Sequence, residues 1–267
     1  MSAGLLESAA FAQLAPEQQP DAIGGRPAGD AFFIDLTRGR DEETQTLSDW
    51  YMDAGWLEAT FSEKNVSFND LGMTLSVTRN LTGRTPYISA EFQHYGFYGY
   101  GRYEVIMKSA AAPGIVSSFF THTDDFLGDP HSEIDFEFVG NTPREVHTNY
   151  FWDGESDAKD IELWFDASQG FHLYAFEWLP DGISWFVDGV EIRRVDADTA
   201  EGGIPRATAR VLANIWAANR QALEWVGAPG ADSAHAVYRC MSHVPMNQAG
   251  RQCGDGYAVT PRPPAER

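Results

Sequence analysis

The sequence predicts an all-β domain built from antiparallel sheets, and three observations support this fold class. Short segments with alternating apolar and polar residues follow one another from about residue 55 to about residue 245, separated by turn residues. Asp188-Gly189 separates two of these segments, and this dipeptide is typical of the type I′ turn of a hairpin. Few segments have helical spacing, and no internal repeat or change of composition divides the stretch, which favours one core.

The predicted strands can be read in chain order from their period of two. They are TLSVTR at 74–79, YISAEFQH at 87–94, GRYEVIMK at 101–108, SEIDFEFV at 132–139, HLYAFEW at 172–178 and ISWFVDG at 183–189. Asp153-Gly154 and Asp181-Gly182 predict further chain reversals. Residues 1–30 are rich in Pro, Gly, Ala and Gln, and this composition predicts a flexible tail. We expect residues 31–245 to form the folded domain and residues 246–267 to form a C-terminal loop and tail.

Composition excludes two classes of partner. The chain has 19 basic and 39 acidic residues, a formal charge of −20, which repels phosphate backbones and anionic lipid headgroups. We therefore expect neither nucleic acid nor a membrane as partner, and no apolar run reaches the roughly 20 residues of a membrane span. The chain is 43% hydrophobic and 13% aromatic, which is enough to fill a large core. We expect the protein to be a monomer.

Cys240 and Cys253 stand 13 residues apart in a loop-rich region, and we expect them to form a local disulfide. Their spacing matches no redox or metal motif. An oxidised pair is typical of a secreted or periplasmic protein, and AFAQ at 10–13 is a candidate end of a processed export signal.

Three acids alternate with apolar residues in the segment HSEIDFEFVG. Side chains at i, i+2 and i+4 share one face of a strand, so Glu133, Asp135 and Glu137 point together while the aliphatic and aromatic residues between them face a core. Inward-leaning Glu side chains bring the outer carboxyls to about 5 Å, as a retaining glycosidase requires, rather than the ~6.5–9.5 Å of an inverting one. The alternative is an acidic strand face that binds water or Ca²⁺.

The segment EIDFE resembles the catalytic strand of glycoside hydrolase family 16, and further blocks follow in the order of its bacterial lichenase branch. These blocks are GYGRYEVIMKSAAAPGIVSSFFTHT, HTNYF, FDASQGFHLYAFEWLPDGISWFVDGV and LANIW. The segment GDPHSEIDFEF is most similar to the corresponding segment of rhizobial-type glycanases that trim exopolysaccharide. The resemblance implies a β-jelly-roll sandwich of two curved antiparallel sheets with a concave substrate cleft.

The resemblance also implies roles for individual residues. Glu133 would be the nucleophile, Asp135 its helper and Glu137 the acid/base. Residues matching cleft positions are Glu91, Phe120, Asn149, Phe151, Asn214 and Trp216, where Asn and Glu suit sugar hydroxyls and the rings suit pyranose faces. Four further cleft positions depart from the lichenase pattern, with Glu58 replacing Asn, Gln93 replacing Arg, His122 replacing Tyr and His131 replacing Trp. His147 is a further cleft candidate.

Other departures concern stability and metal binding. Ala59 and Ser89 stand where that branch has its disulfide, and Arg239 replaces an Asp that helps to hold a structural calcium. No cofactor is expected, and Arg239 argues against structural Ca²⁺, which stays an open alternative. A Zn²⁺ site built from His122, His131 or His147 with Glu133 is not favoured, because no histidine pair has a usual metal-ligand spacing.

These observations predict a retaining endo-β-glycanase that hydrolyses a β-1,3-1,4-glucan or a related glucose-rich exopolysaccharide by double displacement. The strand lacks the residue that laminarinases and carrageenases commonly insert before the second Glu, which favours lichenase-like or transglycosylase-like substrates. The alternatives are therefore a xyloglucan or glucan transglycosylase, and a non-catalytic carbohydrate-binding jelly roll.

Overall fold

A computed structural model describes residues 26, 28–54 and 57–263 of the chain. The regular secondary structure of this part of the chain is almost entirely β, with one helical turn, α1 (Leu223–Val226), and three 3-10 turns at Leu36–Arg38, Glu63–Asn65 and Asp125–Leu127. The strands are β1 (Phe32–Asp35), β2 (Gln45–Leu47), β3 (Tyr51–Asp53), β4 (Glu58–Phe61), β5 (Val66–Asn69), β6 (Gly72–Arg79), β7 (Tyr87–Tyr98), β8 (Gly101–Lys108), β9 (Ile115–Thr123), β10 (Ser132–Val139), β11 (Glu145–Trp152), β12 (Glu155–Ser156), β13 (Lys159–Glu162), β14 (His172–Leu179), β15 (Gly182–Val187), β16 (Val190–Asp196), β17 (Ala209–Ala217) and β18 (Ser233–Pro245).

The strands form two layers, which we call the front and back sheets. The front sheet has the order β11-β10-β9-β17-β7-β2, with β12 and β13 beside β11. The back sheet has the order β16-β15-β14-β8-β18-β6-β5, with β1 beside the second half of β18. Strand β7 joins the layers, because its first residues pair with β6 and its later ones with β17. All of these strand pairings are antiparallel, and the pairing of β4 with β7 is parallel. The antiparallel sheets confirm the predicted fold class.

The core lies between the two sheets and is rich in aromatic rings. Phe136 and Phe138 of β10 meet Tyr174 of β14, with ring centroids 5.7 Å and 4.7 Å away. Phe119 of β9 meets Phe176 at 5.9 Å. The back of β10 is therefore an apolar face, fully removed from water, that holds this strand in the middle of the front sheet.

The turns predicted from Asp-Gly pairs are present. Asp188 and Gly189 have φ angles of 48° and 80° between β15 and β16, as a type I′ turn requires. Asp153 and Gly154 have φ angles of 49° and 89° between β11 and β12. Both turns fix the register of the strands that they join, and β10 has the bounds predicted from its alternation.

Both ends of the described chain contact the domain. Cys240 and Cys253 form a disulfide that ties the C-terminal segment to β18, and the amide of Gly254 donates to Oε2 of Glu104 at 2.7 Å. Arg26 donates to the carbonyl of Leu127 at 2.8 Å. The rest of the N-terminal tail prediction, over residues 1–25 and 27, lies outside the described residues. The described part of the chain has no helix with the length and hydrophobicity of a membrane crossing.

Candidate active site

The three alternating acids of β10 lie together on the outer face of the front sheet. Glu133 and Asp135 are 9% and 1% exposed and Glu137 is half-buried, whereas Ile134 is completely buried in the core behind them. The side chains of β10 therefore alternate as the sequence predicted, with the carboxyl groups pointing outward and the apolar side chains pointing into the core. We call Glu133, Asp135 and Glu137 the acid row.

The register of the front sheet places polar and aromatic residues on both sides of the acid row. Directly opposite residues of an antiparallel pair point to the same face. On the β11 side the partners of the acids, in chain order from Glu133, are Phe151, Asn149 and His147. On the β9 side they are His122, Phe120 and Ser118.

A hydrogen-bond network continues from the β9 side of the acid row across the next two strands. Asn214 stands opposite both Ser118 and Glu91. The Ser118 hydroxyl donates to Asn214 Oδ1 at 2.5 Å, and Asn214 Nδ2 donates to Glu91 Oε2 at 3.5 Å. Glu91 Oε1 also accepts from the hydroxyl of Ser48 at 2.6 Å and from Nε2 of Gln93 at 2.9 Å. Three of the predicted cleft residues, Glu91, Gln93 and Asn214, thus belong to one network.

Glu91 is completely buried within this network. Burial raises its pKa to about 7, although hydrogen bonds from Ser48, Gln93 and Asn214 act in the opposite direction. The carboxyl group of Glu91 therefore changes its protonation state near neutral pH.

Glu133 is held by two imidazoles, one from β9 and one from the residue before β10. Its Oε2 atom lies 3.1 Å from Nδ1 of His122 and 3.1 Å from Nε2 of His131. Burial favours the neutral carboxyl, but the hydrogen bonds and charges of the two histidines prevail and lower the pKa of Glu133 to about 2. Glu133 is consequently a carboxylate at any pH near neutral.

His122 also contacts an acid that the sequence did not single out. Its Nε2 atom lies 3.5 Å from Oδ2 of Asp124. Burial disfavours the charged ring, but hydrogen bonds to Asp124 and Glu133 raise the pKa of His122 to about 9. The ring is therefore cationic at neutral pH and balances the negative charge of Glu133.

Glu137 and Asp135 have the opposite proton preference from Glu133. Burial and the negative charge of Glu133 raise the pKa of Glu137 to about 8. Burial, with the charges of Glu137 and Glu133, raises the pKa of Asp135 well above its usual range. Neither carboxyl oxygen of Asp135 has a hydrogen-bond partner among the described residues. Three like acids in a row thus divide into one ionised and two protonated groups at neutral pH.

The predicted aromatic residues fall into two groups. Phe120 and Trp216 are only 2% and 1% exposed and pack in an apolar cluster with Leu57 and Phe61. Phe151 stays half-buried and stacks on the His131 ring, with centroids 4.8 Å apart. Of the three aromatic residues predicted to line the cleft, Phe151 is therefore the one whose ring stands beside the acid row with a partly open surface.

Three further predicted residues already have polar partners. His147 stands opposite Glu137, with its Nδ1 atom 2.7 Å from Oδ1 of Asp160. Asn149, opposite Asp135, accepts through Oδ1 from its neighbour's amide at 2.9 Å. Glu58 lies in β4, outside the strands that carry the acid row, and accepts from the Tyr51 hydroxyl at 2.9 Å.

The sequence reasoning missed Ser48, Ser118 and Asp124. A signal for two of them exists, because Ser118 and Asp124 continue the alternation through Phe120 and His122 along β9 and its end. Ser48 precedes β3 and offers no pattern of this kind.

Two sheets packed around one core, with paired carboxyl groups on the outer face of one strand, are the arrangement that a glycoside hydrolase uses. The sequence model for "Glycosyl hydrolases family 16" matches residues 54–235, which is more than half of the chain. The chain therefore belongs to family 16 of the glycosyl hydrolases.

Individual relatives agree with this assignment. A beta-glucanase from Paenibacillus macerans is 38% identical over 215 residues, which cover 79% of this chain and 86% of that protein. The solved structure of a prokaryotic beta-1,3-1,4-glucanase (lichenase) from a mouse hindgut metagenome superposes with a TM-score of 0.76 at 34% identity, over 82% of this chain and 100% of that one. The structure of the Bacillus licheniformis beta-glucanase superposes with a TM-score of 0.75 at 32% identity, over 82% of this chain and 99% of that one. The fold is thus the jelly roll that the resemblance implied.

Proposed function

We propose that the protein is a retaining endo-β-glycanase that hydrolyses a β-1,3-1,4-glucan or a related glucose-rich polysaccharide. The observation that carries the proposal is that Glu133 and Glu137 share one face of one strand, and that two imidazoles contact the carboxylate of Glu133. The beta-glucanases and the lichenase that resemble the chain support this substrate class. No cofactor enters the proposed reaction.

In the first step Glu133 acts as the nucleophile. A carboxylate oxygen of Glu133 bonds to the anomeric carbon as the bond from that carbon to the leaving oxygen breaks. His122 and His131 hold Oε2 from two sides and so orient the carboxylate before the substrate arrives. The product of this step is a covalent glycosyl enzyme.

Glu137 acts as the acid in the first step and as the base in the second. Its raised pKa keeps a proton on the carboxyl near neutral pH, and that proton passes to the leaving oxygen. Glu137 then takes a proton from water as the water oxygen attacks the anomeric carbon, which releases Glu133. Two displacements at one carbon leave its configuration unchanged.

Asp135 acts between these two groups. Because it is buried beside two acids and stays protonated, it spares the acid row a second negative charge next to that of Glu133. A protonated Asp135 can donate a hydrogen bond to a neighbouring carboxylate, whereas an ionised one would repel it. Asp135 is therefore a positioning residue for the two catalytic acids.

Sugar recognition falls to the residues beside the acid row. The stacked rings of Phe151 and His131 offer a flat wall near Glu133. The network of Glu91, Gln93 and Asn214 supplies donors and acceptors on the other side of the acids. This arrangement suits a chain of sugars that lies across the strands of the front sheet.

The disulfide supports a location outside the cytoplasm, secreted or periplasmic, where the protein would act as a monomer on a polysaccharide. The Cys240–Cys253 bond would not persist in a reducing compartment.

The function is tested by measuring reducing-sugar release from barley β-glucan, lichenan, laminarin, xyloglucan and succinoglycan in parallel. We expect the fastest release from a β-1,3-1,4-glucan or a glucose-rich exopolysaccharide, with new reducing ends that start as the β anomer in proton NMR. Glu133→Ala should lower kcat at least ~10³-fold and still bind oligosaccharide. His235→Ala, on the exposed surface of β18, is the control and should keep full activity.

Inverted products, or a Glu133→Ala variant with normal turnover, would refute the mechanism. Lengthened products in the presence of acceptor oligosaccharides would show transglycosylation, and binding without cleavage of any substrate would show a binding module.

A further inference from the structure

Three side chains that are good metal ligands converge at the Glu133 end of the acid row. One ligand atom each from His122, His131 and Glu133 lies within 4.8 Å of the others. His122 Nδ1 and His131 Nε2 are each 3.1 Å from the same oxygen of Glu133. The two histidines belong to different segments, β9 and the residue before β10, so the cross-strand register creates this cluster.

The spacing of each imidazole nitrogen from the Glu133 oxygen suits a tetrahedral ion. Zn²⁺ binds imidazole nitrogen and carboxylate oxygen at about 2.0–2.2 Å, so neighbouring ligand atoms in a tetrahedral site are about 3.3 Å apart. The two nitrogen–oxygen distances of 3.1 Å are close to this value, whereas all three ligand atoms lie within 4.8 Å of one another, so an ion would draw the two imidazole nitrogens together. Two imidazoles and one carboxylate also form a common set of protein ligands for zinc, with a fourth position open to water.

A second acid, Asp124, lies beside the ring nitrogen of His122 that faces away from Glu133. Histidine ligands usually give their other ring N–H to a carboxylate, which fixes the tautomer and strengthens the metal bond. Here His122 faces Glu133 with Nδ1, and its Nε2 lies 3.5 Å from Oδ2 of Asp124. Asp124 is itself fixed, because its Oδ1 accepts from the amide of Leu127 at 3.3 Å.

We propose that His122, His131 and Glu133 form a reversible binding site for a divalent transition metal ion of the Zn²⁺, Ni²⁺ or Cu²⁺ class. Imidazole nitrogen selects these ions over Ca²⁺ and Mg²⁺, which prefer oxygen ligands throughout. The formal charge of −20 also attracts cations to the protein.

The bound ion acts as an inhibitor. It displaces the proton on Nδ1 of His122 to solvent, takes a lone pair of the Glu133 carboxylate and occupies the space at the nucleophile, so the anomeric carbon of a substrate cannot approach. This consequence rests on the proposed role of Glu133, whereas metal binding itself does not. A calorimetric measurement of binding and an assay of the metal-free enzyme therefore separate a failure of this proposal from a failure of the proposed function.

The test titrates ZnCl₂ into the full chain after treatment with EDTA, using isothermal calorimetry. We expect a site that binds one ion in the wild type. His131→Phe should bind the ion more than ~100-fold more weakly, because it removes a direct ligand while a ring remains to stack on Phe151. Asp124→Asn keeps the side-chain oxygen that caps Leu127 and should weaken binding roughly 10–100-fold. His235→Ala removes an exposed histidine outside the site and should bind like the wild type.

Two further readings complete the test. Co²⁺ bound to the wild type should give the intense visible absorption of a tetrahedral site, and this absorption should be absent in His131→Phe. Hydrolysis by the wild type should fall on addition of Zn²⁺ and recover with EDTA. Equal Zn²⁺ affinity in the wild type and His131→Phe, with both variants folded by circular dichroism, would overturn the proposal. So would the absence of Zn²⁺ binding by a wild type that hydrolyses glucan.

Discussion

The Nε2 atom of His131 lies 3.1 Å from Oε2 of Glu133, two residues further along the chain. Because residues two apart in extended backbone share a face, His131 stands on the same side of the front sheet as the acid row. His122 reaches the same oxygen from β9. The proposed nucleophile is therefore fixed from two segments of the chain, whereas burial and the charge of Glu133 raise the pKa of Glu137, the proposed acid and base at the other end of the row.

The pH dependence of hydrolysis should report the protonation of Glu137. Burial and the charge of Glu133 raise its folded-state pKa to about 8, and the protonated form is the one that can act as the acid. We therefore expect kcat/KM to stay high through neutral pH and to fall as pH rises through about 8. A profile of kcat/KM against pH with a soluble oligosaccharide measures this limb.

A matched pair of variants isolates the charge of Glu133 as one cause of this shift. Glu133→Gln removes the charge and should lower the pKa of Glu137, while Glu133→Asp keeps the charge and should leave it raised. Carbon-13 NMR of the labelled carboxyl groups follows the titration without needing activity. An identical titration of Glu137 in both variants would show that the charge of Glu133 does not act on it.

Glu91 should make the folded state less stable as pH rises. Its folded-state pKa of about 7 lies above its ordinary value of 4.5, so the folded chain binds more protons than the unfolded chain between these two values. The wild type should lose about 3 kcal/mol of unfolding free energy over this range relative to Glu91→Gln, and the difference should stay constant above it. Urea unfolding of both proteins at several pH values gives this comparison. Parallel stability curves would contradict the burial argument.

The disulfide should contribute stability without affecting catalysis. Cys240 and Cys253 close a loop of 13 residues against the back sheet, where they pack with Ile106 and Leu173. Replacing both cysteines by serine should lower the unfolding free energy by about 3 kcal/mol, because the unfolded chain regains conformational freedom. Guanidinium unfolding measures this loss, and kcat should stay within about two-fold of the wild type. An unchanged midpoint and slope would show that the bond adds nothing to the fold.

The fold could be predicted from the sequence where one strand carries its own signal. The alternation in SEIDFEFV identifies both faces of β10, and Asp188-Gly189 identifies its hairpin, because the strand period and the turn geometry depend only on neighbouring residues. The family resemblance added the jelly-roll arrangement and the order of roles along the acid row.

The site was harder to predict where it depends on pairing between strands. His122 and His131 are nine positions apart, a spacing that suggests no metal site, yet the register of β9 with β10 brings them to one oxygen atom. The burial of Phe120 and Trp216 under Leu57 and Phe61 also arises from tertiary packing. Their predicted role as stacking platforms for sugars remains a prediction.

The central claim, that Glu133 is the nucleophile of a double displacement, is tested most directly by trapping the covalent intermediate. A 2-deoxy-2-fluoro oligosaccharide with a dinitrophenyl leaving group should form the glycosyl enzyme quickly and release it slowly. Mass spectrometry of the digested protein should then find one glycosyl group, on Glu133. A label on Glu137 or another residue, or an unlabelled protein that still hydrolyses the normal substrate, would contradict the claim.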